Sequence, residues 1–216
     1  MREASQMTEN EWLEFMIRWN KTILDNVEYL EPIPEHLIEK KWLGNAGATD
    51  QEIRQLEARL EKKLPSSYKS FLRVTNGWNG ILTNSIYSMD TTISINWFIV
   101  RYRNWFDQFI LGTEFEEQAD NFINNDADHS YGPNQNTHNF SIAHWKRTLA
   151  ISERGDSAVL LLNPLVVDES GEWEAWHFAN WNPGARKFKS FSVMMIELYT
   201  MFESDMNYFR STKNLF

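Results

Sequence analysis

The sequence predicts an α+β fold in which an antiparallel sheet is flanked by helices, with an extra N-terminal helix. Apolar residues recur at helical spacing through most of the first half of the chain, whereas the second half holds short runs with strand character. No internal repeat is present. Helices that precede a group of strands are typical of an α+β arrangement, because alternating units would be expected for a parallel sheet.

Composition excludes several classes of protein. The chain has 216 residues, 42% of them apolar and 14% aromatic, which is enough to build a compact core. It lacks cysteine, so disulfides, Cys-ligated zinc and thiol nucleophiles are excluded. The net charge of −9 argues against binding to nucleic acid or to an anionic membrane. Because no long apolar stretch or signal-peptide pattern is found, we expect a cytoplasmic protein.

The N-terminal helix is predicted over residues 9–26. Thr8 and Glu11 form a capping-box pattern, and tryptophan, phenylalanine and isoleucine residues follow at helical spacing. Two prolines then interrupt the helical pattern. We therefore divide the chain into an N-terminal helical extension, residues 1–31, and an α+β domain, residues 32–216.

Three further helices are predicted before residue 78. The first is short and covers residues 35–41. A second capping box, Thr49 with Glu52, begins the next helix, which Pro65 should end. Ser66 or Ser67 can cap the third helix, and Asn76-Gly77 should stop it because both residues readily adopt a positive φ.

The middle of the chain has a less regular pattern. Residues 78–93 contain short apolar pairs between glycine and asparagine residues, which predict short strands. A helical period resumes at residue 95 and should end near Gly112. Residues 112–140 are polar and irregular, and they predict a long loop of the kind that often carries function.

Strands and a final helix are predicted for the rest of the chain. Residues 148–152 and 173–178 have strand character, and the apolar run at 158–162 is typical of a strand buried on both faces. The last helix is predicted over residues 190–205, where apolar residues again follow the helical period.

The sequence predicts no catalytic site, no cofactor site and no metal site. It contains no nucleophile elbow, phosphate-binding loop or dinucleotide fingerprint. Glu172 and Glu174 could form an acid–base pair on one strand face, but no partner residues converge on them in sequence. His129 and His138 share a loop with two aspartates, and solvated loop residues explain them better than a metal site does. We therefore expect a protein that is not an enzyme.

Tryptophans near the C-terminal strands allow two interpretations. Trp173, Trp176 and Trp181 could form a stacking platform for a ligand. The favoured interpretation is that these rings fill the core, and His177 between them is interpreted as a partly buried strand residue.

The negative charge is concentrated in one interval of the chain. No lysine or arginine occurs between Arg103 and Lys146, where seven acidic residues nearly account for the net charge. A solvated acidic loop is one interpretation. The other is a partner-binding surface that would attract a basic protein. Its candidate residues are Asp107, Glu114, Glu116, Glu117, Asp120, Asp126 and Asp128.

Two blocks of motifs identify the chain as a member of a known group. The first block is Trp42-Leu43-Gly44-Asn45-Ala46-Gly47-Ala48, Ile53, Leu56-Glu57, Leu60, Leu64-Pro65-Ser66-Ser67-Tyr68, Phe71-Leu72 and Thr75-Asn76-Gly77-Trp78. The second is Ile151-Ser152, Gly155-Asp156, Leu161-Leu162-Asn163-Pro164, the run from Gly171 to Trp176, Trp181-x-Pro183-Gly184-Ala185 and Ser190-Phe191. Together they resemble the SUKH superfamily, specifically its founding group, over about residues 42–199.

The resemblance implies a fold and a role. The implied fold is a curved antiparallel sheet flanked by helices. Many bacterial members look like immunity proteins, so the resemblance implies a protein that binds a cognate polymorphic toxin, often a nuclease, and blocks it by occlusion without catalysis. A toxin with a basic surface would suit the acidic interval. No catalytic or toxin-contact residue is carried over, and the oligomeric state stays open.

A second function is also left open. Eukaryotic members of the superfamily resemble regulatory scaffolds, so the chain could instead be a scaffold or a peptide-binding module. Such a module could use a groove lined by residues such as Trp78, Trp105 and Trp176.

Overall fold

The structure is a computed structural model, and eight α-helices and five strands lie in the part of the chain that it describes. The described residues are 6–30, 32–83, 85–86, 88–112, 130–138, 141–181 and 184–213. The helices are α1 Glu9–Leu24, α2 Glu35–Lys40, α3 Asp50–Leu60, α4 Ser66–Val74, α5 Phe98–Arg101, α6 Arg103–Ile110, α7 Ile142–Trp145 and α8 Phe191–Lys213. The strands are β1 Asn96–Trp97, β2 Leu149–Ala150, β3 Ala158–Val167, β4 Trp173–Ala179 and β5 Gly184–Phe188.

All five strands form one antiparallel sheet in the order β1-β2-β3-β4-β5. Each strand therefore pairs with its neighbour in sequence, and the central pair joins β3 to β4, with Leu161 opposite Trp176. The predicted α+β fold with an antiparallel sheet and an additional N-terminal helix is confirmed. No helix in the described residues is long and apolar enough to cross a membrane.

The sheet is buried on both faces. Leu160, Leu162 and Ala175 contribute to a large cluster on the first face, together with residues of α1, α3, α4 and α8. Val159 and Leu161 contribute to a separate cluster on the second face, which α5, α6 and α7 cover. Alternate side chains of a strand point to opposite faces, so the apolar run in β3 supplies both cores, as its pattern predicts.

Helix α1 is part of the first-face core. Its buried stripe includes Trp12 and Trp19, both fully enclosed. The Trp12 indole lies 5.3 Å from the Phe71 ring and 5.2 Å from the Phe191 ring, and its Nε1 donates to the Ser67 carbonyl at 2.9 Å. The extra helix thus packs against α4 and α8, while the division of the chain into residues 1–31 and 32–216 stays a prediction.

Signals in the local sequence predicted the starts of most helices correctly and their ends less well. Both capping boxes form: Thr8 caps α1 with Glu11, and Thr49 caps α3 with Glu52. Helix α3 ends earlier than predicted, because Glu61 takes a left-handed conformation with φ 52°. Pro65 is the N-cap residue of helix α4, and no side chain caps this helix start by a hydrogen bond from the N-cap position. The predicted serine cap is therefore wrong.

A glutamate that is distant in sequence supplies a hydrogen-bond acceptor at the start of α4. The Glu172 carboxylate accepts from the Ser67 backbone N–H at 2.9 Å and also from the Ser67 hydroxyl. Glu172 is fully buried. The unpaired N–H groups of a helix start favour an acceptor with negative charge, so this contact joins α4 to the turn before β4.

Replacing Glu172 tests this contact. We expect Glu172→Ala to lower the free energy of unfolding by about 1 to 3 kcal/mol, because two buried donors on Ser67 lose their acceptor. Burial raises the pKa of Glu172 above its usual range, so a neutral acceptor should be tolerated there. Glu172→Gln should therefore cost clearly less than the alanine change in urea unfolding. Equal losses for the two variants would contradict this role.

The structure corrects the prediction in four places. Residues 78–93 form isolated bridges, such as Trp78 with Met89, and no strand in their described part. The helix predicted from residue 95 is preceded by β1 and broken at Tyr102, where φ is −126°. Strand β3 continues through Pro164 to Val167 with a register shift. The last helix runs eight residues farther than predicted, to Lys213.

The strand that the sequence pattern missed is β5. Its side chains alternate correctly, with Ala185 on the second face and Phe188 on the first. Lys187 obscures the pattern, because this charged residue points to the buried second face and is only 2% exposed. A lysine in an inward position contradicts the usual alternation of apolar and polar residues.

Candidate functional site

The predicted acidic surface begins on helix α6. The Asp107 carboxylate lies on the exposed side of this helix, 3.3 Å from the Arg103 guanidinium. An exposed pair one helical turn apart adds little stability, and Arg103 offsets part of the charge of Asp107. The other six candidates lie outside the described residues. They are Glu114, Glu116, Glu117, Asp120, Asp126 and Asp128.

Helix α6 leads the chain from the second-face core to this interval. Trp105 and Phe106 are buried in the second-face cluster, so the helix is held firmly on the sheet. Directly after the helix, Leu111 is 71% exposed and Gly112 has a φ of +70°. The chain therefore leaves the core at Leu111, between Asp107 and the other six acidic candidates.

The chain returns to the sheet at residues 130–138. The Gln135 side chain donates to the Lys187 carbonyl at 3.0 Å and accepts from the Lys187 N–H at 2.6 Å. The Ala185 N–H donates to the Thr137 carbonyl at 3.0 Å. These bonds occupy the outer edge of β5, so the acidic interval is anchored to the sheet at both ends.

Gly184 allows this close approach. A Cβ atom there would lie 1.8 Å from the Thr137 carbonyl oxygen, and the φ of Gly184 is +122°. Both facts require glycine, because a side chain would collide with the backbone and the conformation is rare for other residues. Gly184 belongs to the motif Trp181-x-Pro183-Gly184-Ala185, which thus has a clear structural purpose at this glycine.

A buried polar network lies beneath the returning segment. The Glu174 carboxylate accepts from the Tyr131 hydroxyl at 3.0 Å, from Asn163 Nδ2 at 3.1 Å and from Trp176 Nε1 at 2.6 Å. Asn163 Nδ2 also lies 3.2 Å from His144 Nδ1. Burial and the adjacent Glu174 raise the pKa of the Tyr131 hydroxyl. The network fixes Tyr131, the first anchor after the acidic residues of the interval, on the second face.

The candidate acid–base pair has separate structural partners. Glu172 binds the start of α4, whereas Glu174 binds the network on the second face. Strand β4 begins only at Trp173, so the expected alternation does not extend to Glu172. Among the histidines of the candidate metal loop, His138 is exposed and His129 lies outside the described residues.

The tryptophans do not form a shared platform. Trp173 is buried in the first-face cluster and Trp176 in the second-face cluster, while Trp181 is 56% exposed. The groove suggested for a peptide is not formed by its named residues either. Trp78 belongs to the first-face core, whereas Trp105 and Trp176 belong to the second-face core.

His177 has the predicted half-buried strand position and an unusual environment. Its Nε2 atom is enclosed and has no hydrogen-bond partner among the described residues. Burial, and secondarily the Arg186 guanidinium, lowers the pKa of His177 to about 4. Arg186 is itself bound to the Glu197 carboxylate at 2.8 Å. The imidazole is therefore neutral at neutral pH and can accept a hydrogen bond.

The lowered pKa of His177 predicts a loss of stability in acid. His177 takes up a proton less readily in the folded state than in the unfolded state. Its neutral form therefore contributes fully to the free energy of unfolding above the ordinary pKa of 6.5, and this contribution is lost as the pH falls toward 4. We expect wild type to lose about 2 kcal/mol more than His177→Gln between about pH 7.5 and pH 4. Urea unfolding at several pH values measures this difference. Parallel curves for the two proteins would refute the assignment.

Comparison with known proteins now gives the chain its family. The SMI1 / KNR4 family (SUKH-1) matches residues 47–196, which is more than half of the chain. A search of curated proteins finds no significant match. The matched region contains α3 to α7 and the whole sheet, and it ends within α8. The chain therefore belongs to the SMI1 / KNR4 family (SUKH-1).

Proposed function

We propose that this protein is a cytoplasmic immunity protein that binds a cognate bacterial polymorphic toxin, a nuclease, and neutralises it by occlusion without catalysis. The observation that carries the proposal is the acidic interval between Arg103 and Lys146 in a member of the SUKH-1 family. Bacterial proteins of this superfamily resemble immunity proteins, and the interval has the charge that a basic toxin would select.

Electrostatics explains how the acidic interval would act. A nuclease binds phosphate groups, so its substrate cleft is basic. An acidic surface that enters this cleft excludes the substrate and accelerates association over long distances. Anchoring at Tyr131 and Gln135 supports the proposal, because segments held at both ends lose less conformational entropy when they bind.

Co-expression tests the proposed function. The toxin domain encoded beside this gene should stop growth when it is expressed alone, and this protein should restore growth. An unrelated acidic protein of similar size is the matched control. The two purified proteins should also elute together from a sizing column. Absence of both rescue and complex formation would overturn the proposal.

A titration distinguishes occlusion from catalysis. Nuclease activity should fall linearly as this protein is added and disappear at an equimolar ratio. An enzyme that modified the toxin would act at a much lower ratio and would leave the toxin inactive after separation. Recovery of full nuclease activity after dissociation of the complex is the result expected for occlusion.

A further inference from the structure

A small recess lies on the first-face side of the sheet, opposite the face that α6 covers. It has a volume of about 100 Å³ and lies between strand β4, the residues around Thr83 and the middle of α8. Its apolar floor is formed by three buried side chains. They are Leu82, Leu198 and Phe202.

The charged group in the lining of the recess is a carboxylate, which attracts a cation. His177 lines the recess, and its enclosed Nε2 lacks a partner among the described residues. Asp205 lies at the exposed rim and forms no ion pair with any described residue. The nearby Arg186 contacts the Glu197 carboxylate at 2.8 Å, which offsets part of its positive charge. An anion would meet the Asp205 carboxylate and is disfavoured.

Trp181 adds an aromatic wall that faces solvent. Its Nε1 donates to the Asp156 carbonyl at 3.0 Å, and its ring lies 6.2 Å from His177 at an interplanar angle of 74°. Because these contacts orient the indole, it is held in place although more than half of it is exposed. An oriented, exposed indole face is the preferred partner of a cation in proteins.

We propose that this recess binds one lysine or arginine side chain of the protein partner. The aliphatic part of the side chain would lie on Met201 and the apolar floor, and the charged end would contact Asp205 and the Trp181 ring. The inference rests on the proposed function, because the occupant belongs to the toxin, but it concerns residues other than those of the acidic interval.

Two substitutions in the recess test the inference in the complex. Trp181→Ala should raise the dissociation constant about tenfold, and Asp205→Asn about three- to tenfold, because cation–π and charged contacts each contribute about 1 kcal/mol. Surface plasmon resonance should show these losses mainly as faster dissociation. Tyr208→Ala and Glu39→Gln are matched controls at exposed sites and should change affinity less than twofold.

The complementary change on the toxin identifies the occupant. Replacing one surface lysine or arginine of the toxin with methionine should remove most of the effect of Asp205→Asn, as expected for directly contacting residues. If neither recess variant changes affinity while the wild-type complex forms, the recess inference is overturned and the proposed function stands.

A small probe tests the recess without the toxin. N-acetyl-lysine methylamide should shift the Trp181 indole N–H signal in NMR spectra, with an affinity of about 10 mM or weaker. N-acetyl-norleucine methylamide lacks the charge and should cause a much smaller shift, and Asp205→Asn should reduce the response to lysine. Equal responses to both probes, or none, would overturn the inference even if no toxin complex is found.

Discussion

Trp145→Ala is expected to lower the free energy of unfolding by about 3 to 5 kcal/mol, the largest single-residue effect that we anticipate. Trp145 is completely buried at the centre of the second-face cluster. Its ring is stacked 4.3 Å from Phe178 of β4 and 4.7 Å from Phe98 of α5, and it also contacts the aromatic residues of α6. Alanine would leave a large cavity that three helices and the sheet share.

A conservative variant separates ring packing from other effects of this substitution. Trp145→Phe keeps an aromatic ring in the cluster, so it should keep most of the ring contacts and cost about half as much. Trp181→Ala is the control for loss of an indole at an exposed site and should cost less than about 1 kcal/mol. Urea unfolding followed by circular dichroism gives all three values. Similar losses at Trp145 and Trp181 would contradict the described packing.

Removing four acidic charges from the interval is expected to slow toxin binding about ten- to a hundredfold at low salt. The variant combines Glu114→Gln, Glu116→Gln, Glu117→Gln and Asp120→Asn, which lie outside the described residues. Long-range attraction acts mainly on the association rate, and salt screens it. The dependence of this rate on ionic strength should therefore become flatter, while the dissociation rate changes much less.

A second variant with the same total charge is the control. Four exposed glutamates elsewhere are replaced by glutamine, so that net charge is equal while its location differs. They are Glu35, Glu39, Glu61 and Glu169. This control should bind almost as fast as wild type at every salt concentration. If the two variants associate equally fast, net charge alone governs the encounter and the acidic interval is not part of the interface.

Features set by neighbouring residues were predictable. The capping boxes at Thr8 and Thr49 each form within four residues, and the apolar run of β3 has the expected burial on both faces. These signals are local because hydrogen bonds at a helix start and side-chain alternation depend on residues close in sequence. The motifs around Gly44 to Gly77 and Gly171 to Trp176 were also enough to indicate the family.

Features that depend on distant contacts were missed. Strand β5 was missed because Lys187 faces inward, and β3 extends past Pro164 because Val167 pairs with Trp173 of β4 after a register shift. Glu172 was considered as an acid–base residue, yet its carboxylate binds Ser67, which is 105 positions away in sequence. The partner of such a residue cannot be identified from the periodic pattern of the neighbouring sequence.

The sequence by itself determined the fold class, the family and the position of the acidic interval along the chain, because these follow from periodicity, motifs and composition. The tertiary structure alone decided which polar residues have hydrogen-bond partners and which side chains are exposed. It brought hydrogen-bond donors from Tyr131, Asn163 and Trp176 to the Glu174 carboxylate. It also enclosed His177 Nε2 without a partner among the described residues and left Trp181 exposed beside it. The physical reason is that burial and hydrogen-bond partners depend on side chains brought together only when the sheet and α8 pack.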